Sequence, residues 1–220
     1  MVKSKKHFEL NFIIVLAVII QYSCKQNNNS DTLPILGNPT FVKHSINGTI
    51  TIDSIFPIIR NFSFVNQDSS TVTNQTFKDK IYVADFIFLS CATICPKMNQ
   101  SMLDVYKAYE KNPNILFLSH SIDTENDTIP RLKEYSNALN VSSKKWHFVT
   151  GNQDSIYNMA NENYFATAYK DVEAEGGYTH SGGLLLIDKN KHIRGVYDGT
   201  DPHETERLIK DIEILLKEQF

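Results

Sequence analysis

Residues 81–96 read IYVADFIFLSCATICP, and this stretch organises the rest of the chain. Residues 81–89 are β-branched, aromatic or aliphatic almost throughout, the pattern of a strand buried on both faces at the centre of an α/β sheet. Pro96 suits the first turn of a helix. Met98, Met102, Leu103, Val105, Tyr106 and Tyr109 follow at helical spacing, predicting a helix over 96–111. Cys91 and Cys95 therefore stand between the carboxyl end of a buried strand and a helix N-terminus. Open α/β sheets bind ligands at that end. Free N–H groups and the positive end of a helix favour thiolate, the form that binds metal or attacks disulfides. A spacing of four predicts that both sulfurs share one helical face. Two such sulfurs suit Cu(I), zinc or an iron–sulfur cluster and leave a coordination position for a third residue. A structural disulfide is the plainer reading, but so small a loop adds little by chain entropy.

Outward from this unit the elements alternate. Residues 58–65 read as a strand, with a turn at 66–70. A second buried strand spans 115–122, and a helix spans 129–139, introduced by Asp127 or Thr128 with Pro130 in its first turn. A strand follows at 146–149 and a helix at 153–163. Residues 184–188 and 193–197 form a hairpin. Asp201, Pro202 and Glu204 open the last helix with a cap, a first-turn proline and capping-box spacing. Strands alternating with helices predict an α/β fold, a central mixed β-sheet flanked by helices, with an added hairpin.

The N-terminus reads differently. Lys3, Lys5 and Lys6 precede the apolar run 12–20 (FIIVLAVII), which is too short to span a bilayer. Ser23-Cys24 ends that run, which resembles a lipoprotein signal. Residues 1–23 are expected to be a signal peptide, Cys24 an acylated residue and 24–34 a polar tether. Residues 35–220 are expected to form the domain, with its core over about 55–220. The full chain carries a formal charge of -3. Three Lys and one Glu would leave with the signal, so the remainder is mildly acidic. No basic field is available for nucleic acid. With Cys24 lipidated, Cys91 and Cys95 are the only pair left, and one close pair does not make a disulfide-stapled domain.

Candidates for a third ligand are few. His7 lies in the signal. His44, His192 and His203 fall in loops or exposed starts, and His147 beside Trp146 reads as structural. His120 ends a central strand. His180 sits in a glycine-rich loop, 176–183 (GGYTHSGG), just before a buried strand. Composition alone favours His180 over His120 only slightly. Asp85 is a carboxylate in a buried strand, costly unless paired. Asp123 follows the strand that ends at His120.

Residues from about 33 to 219 resemble the Sco/SenC family. The resemblance rests on YVADFIFLSCATICPKM, LSHSIDTENDTIPRLKEY, WHFVTG and YTHSGGLLLIDKNKHIRGVYDG. It implies a thioredoxin-like fold and one copper per chain, Cu(I) or Cu(II), held by Cys91, Cys95 and His180. Asp85, Asp123 and His120 become candidates for supporting positions. It also implies a metallochaperone of the cell envelope. Such a protein is anchored in the membrane, faces the periplasm and delivers copper to the cytochrome c oxidase subunit that carries the copper site. Family members often have Asp-Pro where this chain has Asp123-Thr124, and proline inside the cysteine loop where it has Ala92. A thiol–disulfide oxidoreductase acting through Cys91 and Cys95 is the alternative. Against it stand the longer Cys spacing and a histidine where oxidoreductases place a cis-proline. A peroxidase on the same fold would want an arginine near a single cysteine, and Arg60, Arg131, Arg194 and Arg207 are all distant in sequence.

Overall fold

A computed structural model describes residues 32–46 and 49–220; the expected signal peptide, Cys24 and most of the tether lie outside them. Thr32–Phe220 form one compact unit. In chain order its strands and helices are β1 (Thr40–Ile46), β2 (Thr49–Ile55), β3 (Ser63–Asn66), β4 (Thr71–Thr73), β5 (Ile81–Ile87), α1 (Cys95–Tyr109), β6 (Ile115–Ser121) and α2 (Ile129–Ala138). Then come β7 (Trp146–Thr150), α3 (Gln153–Asn158), β8 (Ala168–Lys170), β9 (Tyr178–His180), β10 (Gly183–Ile187), β11 (Ile193–Asp198) and α4 (Pro202–Gln219).

Seven strands make one mixed sheet in the order β11-β10-β5-β6-β7-β3-β4. β5, β6 and β7 run parallel, while β10 and β3 flank them antiparallel. Every residue of β5 and β6 is buried, as their mostly apolar character favours, and Asp85, Ser119, His120 and Ser121 are buried with the rest. Strand alternation sorts their side chains. On one face Tyr106 of α1 packs on Phe117 and Trp146, and Tyr135 of α2 meets Phe148 edge-on. On the other, Tyr164 packs on Phe86 and donates or accepts a hydrogen bond at 3.0 Å with Tyr82. The α/β sheet flanked by helices and the β10–β11 hairpin are as expected.

Several boundaries differ from the sequence expectation. The strand expected over 58–65 is confined to Ser63–Asn66, and Phe62 N–H is taken by Asn74 Oδ1 rather than by a ladder. The helix expected over 153–163 is α-helical only to Asn158 and widens into a π turn over Met159–Asn163, which buries Met159 and Ala160. Asp201 caps α4 by accepting from His203 N–H. Glu204 pairs with Arg207 instead of closing a capping box.

The two ends of the sheet are chemically distinct. At the carboxyl end of β5 lie the cysteine loop, β9 and the start of β10. At the other end, Arg194 is buried among Asp188, Glu218 and the carbonyls of Leu33 and Pro34. Leu36 N–H bonds to Ile193 O, and Ile59 N–H to Lys191 O. The chain therefore enters the domain at the pole opposite the cysteines, one strand length away, roughly 20 Å.

Candidate metal centre

Cys95 is the first residue of α1 and is buried, while Cys91 is half-buried in the preceding loop; neither is in a disulfide. The expectation of a shared helical face is corrected here. Cys91 lies before the helix, in a turn closed by its own N–H to Phe88 O. Pro96 explains where the helix begins, since it suits a first turn and has no N–H to give. Loop curvature brings the sulfurs together.

That loop is held from below by a residue whose role the sequence did not disclose. Either Asp127 or Thr128 was expected to introduce α2. Thr128 occupies the cap position, and Asp127 turns inward instead. Its Oδ2 accepts from Leu89 N–H at 3.0 Å and from the Ser121 hydroxyl at 2.7 Å. The carboxylate thus joins the end of β6 to the backbone two residues before Cys91.

His180 arrives from β9. It is a strand residue paired with Ala168 of β8, not part of a free glycine loop. Gly176, upstream, has φ +78°, and a Cβ there would lie 2.6 Å from the Phe88 ring. Only glycine fits both demands. Phe88 in turn meets the His180 ring edge-on at 5.6 Å.

Cys91, Cys95 and His180 each offer one ligand atom, and the three lie within 4.8 Å of one another. Cys95 Sγ is 3.4 Å from His180 Nε2. His180 Nδ1 is 3.1 Å from Ser181 O, a carbonyl that can only accept. Nδ1 must then carry the proton, which leaves the Nε2 lone pair facing the sulfurs. Burial lowers the pKa of His180 and keeps the ring neutral. Burial would raise the Cys91 thiol, but N–H groups of Cys95 and Thr93 and the Thr93 hydroxyl together hold it below its ordinary value. Cys95 is pushed well up, first by burial and then by Cys91 and Asp85. The pair is asymmetric, with one accessible sulfur prone to ionise and one buried sulfur that stays protonated without a cation. Two soft sulfurs and a borderline nitrogen form a donor set that fits a thiophilic metal such as copper or zinc.

The remaining candidates separate by strand face. Asp85 lies on the α1 face and is fully buried, with neither carboxylate oxygen in a hydrogen bond. Burial raises its pKa to about 7, and Ser119 offsets only part of that rise. His120, one residue on from Ser119, faces the opposite side of the sheet. It stacks on Phe86 at 4.7 Å and is ringed by Phe62, Phe64 and Tyr164. It is outside the three-residue cluster. Asp123 accepts from Tyr178 Oη at 2.8 Å and from Asn126 Nδ2 at 3.0 Å. It therefore touches the β9 strand two residues before His180, a contact that depends on a partner 55 positions away. Cys91 borders two clefts. One of about 270 Å³ runs between α1 and α2 past Leu103 and Tyr135, and another of about 190 Å³ is walled by Thr93, Tyr178 and His180.

Residues 53–217 match the SCO1/SenC family model. This chain belongs to the SCO1/SenC family. It is 31% identical over 157 residues to a SCO1 protein homolog of Bacillus subtilis (strain 168), covering 70% of this chain and 81% of that one. Among solved structures, a SCO1/SenC family lipoprotein from Bacillus anthracis str. Ames is 28% identical. It covers 72% of this chain and 95% of its own, with a TM-score of 0.66. BsSco, described as a Sco family cytochrome c oxidase assembly protein with a disulfide switch, is 29% identical. It covers 72% and 93%, with a TM-score of 0.63. The thioredoxin-like α/β fold expected from the sequence is the fold of these relatives.

Proposed function

We infer that this protein is a copper metallochaperone: it binds one copper ion through Cys91, Cys95 and His180 and hands it to the copper site of a cytochrome c oxidase subunit. The observation that supports it most is the convergence of two sulfurs and one lone-pair nitrogen within 4.8 Å, with the imidazole tautomer set by Ser181 O. Bound copper would be the cargo, and the chain's work is to hold and release it. Cys95 and His180 form the buried wall of the site, and Cys91 is the sulfur a client can reach. Loading displaces the thiol protons of Cys91 and Cys95, so affinity should fall in acid. Membership of the SCO1/SenC family and the cytochrome c oxidase assembly role stated for BsSco support the same reading. The expected acylation of Cys24 would hold the domain on the periplasmic side of a membrane, and the Bacillus anthracis relative is itself described as a lipoprotein.

The asymmetry of the thiols favours a second reading, reduction of a client disulfide. Cys91 would attack as thiolate, and Cys95 would resolve the mixed disulfide, two electrons passing from the pair to the client. One experiment separates the two. Copper-loaded protein is mixed with the metal-free, dithiol form of a client copper domain, and the client's copper absorption is followed. Delivery predicts that the absorption appears with wild type and fails with Cys95→Ser, which lacks one of the two sulfurs. If metal-free dithiol protein only reduces an oxidised client, and the loaded protein transfers nothing, the oxidoreductase reading replaces it.

A further inference from the structure

β1 and β2 form a two-stranded ribbon that stands apart from the seven-stranded sheet. All of β2 is exposed. An isolated ribbon is marginal in water, and this one exposes large apolar side chains. Its register pairs Phe41 with Ser54, Lys43 with Ile52 and Ser45 with Ile50, so these six residues share one face. On that face Phe41, Ile50 and Ile52 are 66%, 68% and 57% exposed. Lys43 is its sole charged side chain. The only carboxylate of the ribbon, Asp53, lies on the opposite face with His44, 3.3 Å away. The family match begins at Asp53, so β1 and most of β2 precede the part shared with the family.

Position supplies the rest. The ribbon is rooted between Leu36, bound to Ile193 O, and Ile59, bound to Lys191 O. That is the pole opposite Cys91 and Cys95, and it is where Arg194 grips Leu33 and Pro34. Leu33, the second of the described residues, is held at that pole. Ile55, Ile58 and Phe165 add exposed apolar surface there, and Phe165 is held at φ 52°, unusual for a bulky residue.

We propose that the Phe41–Ile50–Ile52 face of the ribbon lies on an anionic lipid surface, seating the domain with its metal centre pointing away from the bilayer. The orientation rests on the lipid-anchoring reading of Cys24; the ribbon contact does not. Aromatic and aliphatic side chains mixed with hydroxyls and a single cation suit the headgroup boundary. A lysine without a neighbouring acid favours anionic lipid. A short lipidated tether would add to that contact by raising the effective concentration of the surface. The single-point grip of a lipid chain becomes a second, orienting contact.

The test uses the full chain in vesicles of phosphatidylcholine and phosphatidylglycerol, comparing Ile52→Trp with Thr51→Trp. Trp146, the one native tryptophan, is wholly buried and gives a constant background. Lipid brominated near the headgroup should quench most of the added emission of Ile52→Trp and little of Thr51→Trp, more strongly with phosphatidylglycerol than without. Equal quenching of the two variants overturns the proposal. So does an Ile52→Trp signal shielded from iodide but untouched by brominated lipid, which would mean that protein covers the face. Fatty-acid labelling of Cys24 is scored on the same samples. Selective quenching without label upholds the ribbon contact and removes the anchor.

Discussion

The Tyr178 hydroxyl donates to Asp123 Oδ1 at 2.8 Å and so ties the strand that carries His180 to the loop leaving β6. Only Thr179 separates Tyr178 from His180, and Phe88 packs on both rings. The bond therefore fixes where the imidazole stands relative to two sulfurs that come from a different part of the chain.

Tyr178→Phe removes that bond and little volume. The expected loss of stability is about 1–2 kcal/mol, because Asp123 keeps Asn126 as a partner. Cu(II) affinity, which leans on imidazole nitrogen, should fall about tenfold, and Cu(I) affinity much less. Competition titrations in each oxidation state check this.

Asp85 should make the metal-free protein less stable as pH rises. Its folded pKa of about 7 lies above the unfolded value near 3.9. Between these values the folded state holds a proton that the unfolded state has lost, so this contribution declines from pH 4 to 7 and is flat above. The span is at most about 4 kcal/mol. Asp85→Asn should remove it, leaving the variant more stable than wild type at pH 8 relative to their difference at pH 4. Urea denaturation at a series of pH values measures that difference.

The opposite sign applies to His120. Burial lowers its pKa to about 4, against 6.5 unfolded, so stability is present above pH 6.5 and is lost as pH falls toward 4. His120→Phe suits its aromatic surroundings and should recover up to about 3 kcal/mol of the acid loss. His147, lowered to about 4 by burial, keeps its own share of that loss. Copper binding should be unchanged in His120→Phe, and a loss of copper would give His120 a role that its position on the far face of the sheet does not support.

The central elements were legible because their pattern is set by burial. Residues 81–87 and 115–121 are mostly apolar and are buried on both faces, and α1 and α4 carry stripes, so pattern found them to within two residues. β1 and β2 went unseen for the converse reason. Neither ribbon face is buried, so Thr, Ser, His and Ile alternate with no clear inside. Cys91, Cys95 and His180 stood out as residue types and Asp123 as a supporting candidate, but Asp127 did not, and the partner of neither carboxylate could be read. Asp127 reads locally as a helix opener, and its bond to Leu89 spans 38 positions. Asp123 finds Tyr178 at 55, and Arg194 finds Leu33 at 161. Such pairings exist only once the sheet is assembled, and no local rule contains them.

The claim that three residues make one metal site is tested most directly by copper stoichiometry and charge-transfer absorption in wild type and in Cys91→Ser, Cys95→Ser and His180→Ala, each reconstituted with Cu(I) and with Cu(II). Wild type should bind one copper per chain, and either serine variant should lose both oxidation states. His180→Ala should lose the Cu(II) sulfur charge-transfer band while retaining Cu(I), since two thiolates suffice for the softer ion. A His180→Ala protein with an unchanged Cu(II) spectrum, or a cysteine variant that still binds one copper tightly, would contradict the account.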